Sequence, residues 1–569
     1  MEPNVRELLT ELYGKIAGQA AMTRLQAMLD RYRADLAVHT GQRGALSQRD
    51  AMLITYGDQV REPNVPPLQA LAGFCEQHLI GAVSSIHILP FYPYSSDDGF
   101  SVIDYKQVDP ALGDWEDVTR IGQTFRLMFD GVINHISAES EWFKAFLRDD
   151  RKYREYFIAV EDDPDLSQVV RPRALPLLTE VSTPAGKKKV WTTFSTDQID
   201  LNYRNPAVLL DIIDTLLFYV TQSAEFLRLD AIAYLWKEIG TPCIHLPQAH
   251  RVIQLIRAVL DEVAPHVTLI TETNVPHEDN VSYFGNGYNE AQLVYNFALP
   301  PLTLHTLHTG NARALTMWAA SLSLPSGDVT FFNFLASHDG IGLNPARGIL
   351  SDSEIEALVD RTVAHGGLVS HKQNPDGSHS PYELNINYFD ALSNPSGGEP
   401  IGLQLDRFVA AHAIMLSIGG VPGIYFHSLF GSRGWPEGVQ LTSRNRTINR
   451  QKIDRATLER ELNDPTSLRH QVFSRLKHLL RVRSTSAAFR PSSPQRVLQF
   501  GEAIFAVLRD DRVLCLHNVS AQPQTIRLDR DWQTAIDLIA ARKTACDADG
   551  AVMLAPYQIL WLTGNDHDR

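Results

Sequence analysis

Eight short apolar runs constrain this chain more than any other feature. They are MLITY (52–56), SIHILP (85–90), LMFDGVI (127–133), FLRLD (226–230), TLITET (268–273), LVYNF (293–297), FFNFLA (331–336) and GIYF (423–426). Each is continuous rather than alternating, as expected of a strand buried on both faces. Stretches of helical period fill several gaps between them. One opens at Asn205-Pro206, a capping residue followed by proline at the first helical position. It continues through Val208, Leu209, Ile212, Ile213, Leu216 and Val220. Eight buried strands alternating with helices predict an α/β fold, a (β/α)8 TIM barrel.

Two gaps are too long for a simple crossover. The stretch after the third strand, 137–197, is Pro-rich and charged, and the stretch after the seventh, 340–405, carries NPDGSHSP and SNPSGGEP. Both lie on strand-to-helix loops, the side of a barrel where active sites are built. After residue 486 the period becomes strand-like, in VLQF, AIFAVLR, RVLCLHNV, AVMLAP and QILWL. The expected organisation is therefore a helical extension (1–50), barrel segments 51–136, 198–339 and 406–485, inserted subdomains 137–197 and 340–405, and a C-terminal β-domain (486–569). In the extension, Leu8, Leu9, Leu12, Tyr13 and Ile16 fall on one helical face.

Charge and composition exclude several classes. Across 569 residues the net charge is −14, and the one short basic run is Lys187-Lys188-Lys189. A nucleic-acid partner, which draws on clustered Lys and Arg, is not expected. The first residues lack the basic and apolar regions of a signal peptide. The most apolar stretch, 412–426, is broken by Gly419-Gly420 and Pro422 and is unsuited to crossing a bilayer. Cys75, Cys243, Cys515 and Cys546 have no metal-type spacing and read as reduced thiols. No dinucleotide fingerprint or P-loop occurs. The expected location is cytoplasmic, with no membrane partner.

Four acids sit in the segments that close barrel strands: Asp130 in FDGVINH, Asp230 in FLRLD, Glu272 in ITET and Asp339 in ASHDG. Polar groups there face the mouth of a barrel. Glycoside cleavage needs such a set, because one carboxylate must meet an oxocarbenium-like carbon while one carboxylic acid protonates the leaving oxygen. The acid needs a raised pKa, which burial and a neighbouring anion supply. Arg228, two residues before Asp230, projects to the same side of its strand and is expected to hold Asp230 ionised. His135 and His338 flank acids and are candidates to bond sugar hydroxyls.

With these residues in place, the chain resembles the α-amylase family from about residue 52 to 565. The matching segments are DGVINH (130–135), RLD (228–230), Glu272 and His338-Asp339. The resemblance implies Asp230 as nucleophile, Glu272 as acid/base and Asp339 as stabiliser of the glucose 2- and 3-hydroxyls. It implies retention of configuration through a β-glucosyl enzyme, with the two carboxyls about 5–5.5 Å apart. SDDGF (96–100), RPRALP (171–176), WTTFSTDQIDLN (191–202), FALPPL (297–302), SHDGIG (337–342) and NRTINR (445–450) are similar to the sucrose phosphorylase subfamily. That likeness implies Asp97 and Phe100 in the glucose pocket, Arg446 closing it, and Arg173 and Tyr382 receiving phosphate.

The N-terminal extension, SSDDGFSVIDY, Tyr382-Glu383 and the loop 366–385 depart from sucrose phosphorylases and look like the glucosylglycerate phosphorylase group. This implies transfer of glucose between glycerate and phosphate, with Glu383 in the substrate site. Sucrose or glucosylglycerol phosphorolysis, or plain hydrolysis or transglucosylation, are the alternatives. A non-enzymatic transporter partner is disfavoured by the intact acids. An acidic acceptor calls for a cation, and Lys237, Arg173, His371 and Lys372 are the candidates. Asn134 is of the type found near calcium in amylases, yet neither metal nor cofactor is expected; phosphate is a co-substrate, and a homodimer is the candidate assembly.

Overall fold

A computed structural model describes residues 3–37, 46–160, 162–173, 175–374, 376–547 and 549–564. Residues 1–2 and 38–45 of the expected extension and 565–569 of the expected β-domain lie outside them, as do Ala174 of RPRALP and Pro375 of the loop 366–385.

The eight runs form the strands β1 (Met52–Thr55), β2 (Ser85–Ile88), β3 (Arg126–Gly131), β4 (Ala224–Leu229), β5 (Thr268–Thr271), β6 (Leu293–Tyr295), β7 (Thr330–Asn333) and β8 (Val421–Tyr425). Each is parallel to the next, and β8 pairs with β1 to close the barrel. Asp130 on β3 stands in register with Arg228 on β4. Pairing extends one residue past two strands: Asp230 N donates to Gly131 O (3.1 Å) and Glu272 N to Leu229 O (3.1 Å). The backbone positions of both acids are thus fixed by the sheet itself.

The helix Pro206–Thr221 starts as its sequence signals. The Asn205 side chain accepts from Ala207 N, and Pro206 occupies the first turn. The helix Pro3–Ala37 lies across this helix and across Pro247–Val263. Tyr13 Oη donates to Tyr203 O (3.0 Å), and Tyr32 Oη to Asp214 O (3.1 Å). Leu8 and Leu9 are buried in this contact, but Ile16 is 90% exposed. The backbone turns at Gly14 (φ 76°, ψ 170°), so the helical face does not continue through Ile16.

The stretch after β3 carries the antiparallel pair Leu178–Thr183 and Gly186–Trp191. The stretch after β7 carries the hairpin Leu368–Gln373 and His379–Asn385, edged by Ile341–Gly342. A six-stranded sheet spanning residues 495–563 ends the described chain, with its own apolar core around Leu514, Leu516 and Leu562. No helix among the described residues is long and apolar enough to cross a membrane.

The barrel interior has room at β8 only for glycine. A Cβ on Gly423 would overlap the Phe332 ring, with Cε1 at 2.6 Å and Ile54 Cδ1 at 3.2 Å. Gly423→Ala is expected to destabilise the protein by about 1–3 kcal/mol through overpacking. At Gly402, where a Cβ meets nothing within 4 Å, the same change should be neutral or stabilise by up to about 1 kcal/mol. Scanning calorimetry of both variants checks the contrast; equal transition temperatures would refute it.

Candidate active site

One pocket at the C-terminal mouth of the barrel brings together Asp97, Phe100, His135, Arg173, Asp230, Glu272, His338, Asp339, Tyr382 and Arg446. Two expected site residues, Arg228 and Glu383, stand behind its wall and act through others. Phe194, Gln198, Tyr234 and Asn274 also line it. The first two fall inside a segment that the sequence marks without assigning them a role; Tyr234 and Asn274 follow the two acids by four and two residues.

Beneath the floor runs a chain of buried charges. His87 Nε2 lies 2.6 Å from Asp130 Oδ2, Asp130 Oδ1 accepts from Arg228 Nη1, and the same Nη1 donates to Asp230 Oδ1 at 2.9 Å. Burial pushes the Asp130 carboxyl up, but Arg228 and His87 outweigh it and hold it below the usual range. His87, on β2, is invisible in the sequence as a partner because its contact is made to the neighbouring strand β3, 43 residues further along the chain.

Asp230 and Glu272 divide one problem between them. Burial raises both carboxyls; the neighbouring anions Asp130 and Asp339 raise Asp230 further, and Asp230 and Asp339 raise Glu272. Arg228 pulls both down but bonds only Asp230. Burial therefore opposes the expected ionisation of Asp230 and leaves it somewhat raised. Glu272 is pushed up to about 8, chiefly by burial, then by Asp230 and Asp339 against Arg228. At neutral pH the shared proton rests on Glu272, whose Oε2 also accepts from Ala231 N (3.3 Å). This is an anion and a proton donor facing one cavity.

Asp339 lies in the loop beyond β7 rather than at the strand's end. Its backbone is held by Asn449 Nδ2, which donates to Asp339 O (3.0 Å). Its carboxylate meets Arg446 Nη1 and lies 3.4 Å from His338 Nε2. Burial and the guanidiniums of Arg450, Arg228 and Arg446 push His338 well below its ordinary pKa, so it is a neutral imidazole. It stacks on Phe100, with centroids 4.6 Å apart and planes at 5°. His135 Nε2 is already within 2.9 Å of Phe100 O and 3.2 Å of Gln198 Nε2.

Glu383 corrects an expectation. Its carboxylate is buried and takes both Arg446 Nε (3.0 Å) and Nη2 (2.6 Å), so it clamps the arginine that closes the pocket and does not itself line it. Lys237 is a second correction. Its buried ammonium lies 2.5 Å from Asp200 Oδ2 and donates to Asn134 Oδ1 at 2.8 Å. Asn134 and Asp200 are thereby tied to a lysine, and Lys237 is not at the pocket. His371 and Lys372 lie on the hairpin strand Leu368–Gln373 and do not line it either. Of the four candidate cations only Arg173 does. Its guanidinium carbon lies 5.8 Å from the Tyr382 ring centroid, and among the described residues it forms no ion pair.

Residues 79–332 match the family model described as alpha amylase, catalytic domain. The chain is 50% identical to a glucosylglycerate phosphorylase of Allomeiothermus silvanus, over 99% of each chain. It is 44% identical to the Escherichia coli protein of that name, over 99% of this chain and 100% of that one. A crystal structure of sucrose 6F-phosphate phosphorylase from Thermoanaerobacter thermosaccharolyticum superposes with a TM-score of 0.73 at 24% identity, covering 84% of this chain and 95% of that one.

The proton on Glu272 can be observed directly. A pH titration of the protonated-carboxyl stretch, in the infrared difference between wild type and Glu272→Gln, should have its midpoint near pH 8, with the signal present below and lost above. Asp230→Asn removes the repelling anion, so the midpoint should move down. A midpoint in the ordinary glutamate range of about 4–5 in the wild type would refute the reading.

Proposed function

The chain belongs to the α-amylase family, among its glycoside phosphorylases, and from that membership we propose that it splits 2-O-α-D-glucosylglycerate with phosphate. The products are α-D-glucose 1-phosphate and D-glycerate, and the reaction runs both ways. Asp230 attacks C1 of the glucosyl unit. The bond from C1 to the glycerate oxygen breaks, its electron pair stays on that oxygen, and Glu272 supplies the proton. A phosphate oxygen then attacks C1 of the β-glucosyl ester, the bond to Asp230 breaks, and the ionised Glu272 takes the phosphate hydroxyl's proton. Asp339 holds the 2- and 3-hydroxyls, and Asp97, Phe100, His135, His338 and Arg446 surround the rest of the glucose. Arg228 and Glu383 hold Asp230 and Arg446 in place.

The observation that carries the phosphorylase reading is Arg173 beside Tyr382. Phosphate must enter a pocket that already contains Asp97, Asp230, Glu272 and Asp339. A guanidinium free of any carboxylate partner among the described residues, next to a phenol, offsets that repulsion; a hydrolase, whose acceptor is neutral water, has no need of it. The same cation suits the carboxylate of glycerate in the reverse direction. The choice of glycerate rests on likeness over nearly the full length of the bacterial relatives. The reaction needs no cofactor beyond phosphate as co-substrate, and its partners are small molecules.

Incubation with phosphate and, separately, glucosylglycerate, sucrose or glucosylglycerol should release glucose 1-phosphate from glucosylglycerate. Release from sucrose alone would overturn the assignment, and free glucose in its place would overturn phosphorolysis. Arg173→Ala should lower kcat/KM for phosphate by about 100-fold, the scale of one lost charge-stabilising donor. Its hydrolytic rate, measured as glucose release without phosphate, should change by less than about 5-fold, so the product ratio shifts towards glucose.

A further inference from the structure

Arg450 is absent from the expected site and from the pocket lining, yet it meets or approaches three residues of the site, Asp97, His338 and Asp339. Its side chain is 4% exposed. Nε donates to His338 O at 2.8 Å, and Nη1 donates to Asp98 Oδ2 and lies 4.0 Å from Asp97 Oδ1. Nη2 has no hydrogen-bond partner and points at Asp339 Oδ1, 3.6 Å away.

The turn at one end of this contact is an unusual piece of backbone. Asp97 (φ 53°) and Asp98 (φ 49°) are consecutive left-handed residues, followed by Gly99 (φ 110°), where a Cβ would sit 2.5 Å from Pro90 O. Asp tolerates this region better than most residues, and the chain repeats the pair in the hairpin turn at Asp510-Asp511. The entry is held by Ser95 and Ser96, which donate to Asp197. The exit is held through Phe100 O by Gln198 Nε2 at 3.1 Å. Between them, Asp98 is held by Arg450. Asp98 does not line the pocket, so its carboxylate has no direct part in the chemistry, but as the anchor for Arg450 its presence is explained.

We propose that Arg450 is a positioning residue that pins the left-handed Asp97-Asp98 turn to the His338-Asp339 segment, and so aims the neighbouring carboxylates of Asp97 and Asp339 at the sugar. Two acceptors and a nearby third carboxylate, lying in three directions, suit a planar guanidinium and not an ammonium. The proposal rests on the reading of this pocket as a glucosyl site, but not on which acceptor it serves.

The test uses α-D-glucosyl fluoride, which glucosylates the enzyme without phosphate, glycerate or a proton on the leaving group. A wrong acceptor assignment therefore leaves it intact. Asp98→Asn should raise KM for the fluoride about tenfold with kcat within about threefold, because Asp97 is released and Asp339 is not. Arg450→Met should raise KM further and also lower kcat, Arg450→Lys should recover only part of the loss, and the double variant should be no worse than Arg450→Met alone, the mark of a shared contact. Unchanged KM with only a lower unfolding temperature, or fully additive losses in the double variant, would overturn the proposal. Asp98, at the protein surface, keeps it decidable if Arg450→Met does not fold.

Discussion

The guanidinium of Arg228, buried beneath the pocket and shared by Asp130 and Asp230, is the contact on which the site depends. A cation so deep needs anions around it, and an anion so deep needs a cation. Neither Asp130 nor Asp230 could be buried charged without it. The register of β3 against β4 puts Asp130 beside Arg228, and the alternation of a strand puts Asp230 on the same side. Closing the barrel therefore assembles the charge chain with no further adjustment. Asp230 receives the direct bond and Glu272 only the through-space field, which leaves the proton on Glu272.

Above this floor, arginines restrain carboxylates in the pocket wall and behind it. Arg446 lies between Asp339 and Glu383, Arg450 between Asp98 and His338 O, while Arg173 is left over at the mouth. The first two are committed to protein partners and set geometry. The third is available to something that arrives. The distinction between a structural and a receiving cation follows here from partners, not from residue type.

Much of this was readable from the chain. Strands buried on both faces announce themselves as unbroken apolar runs, so all eight barrel strands were legible, and with them the acids in the segments that close them. Roles set by pairing across the sequence were not. Glu383 reads as a substrate contact until Arg446, 63 residues away, is seen to occupy it. Lys237 reads as a free cation near the nucleophile until Asp200 and Asn134 are found around it. Parity along a strand says which side a residue faces but not what waits there. Ile16 fits a helical face that the chain leaves at Gly14 because one left-handed glycine is enough to rotate everything after it.

The helix Pro3–Ala37 sets an order of events during synthesis. It lies ahead in the chain of the surfaces that cover it, Pro206–Thr221 and Pro247–Val263, which are complete only at residue 263. At elongation rates of about 5–20 residues per second, its apolar face waits roughly 10–45 s for its partners. Throughout that interval Leu8, Leu9, Leu25 and Leu29, all buried in the finished protein, are exposed on a nascent chain. The segment that braces the outside of the barrel is therefore also an adhesive surface on the growing chain until residue 263 is made.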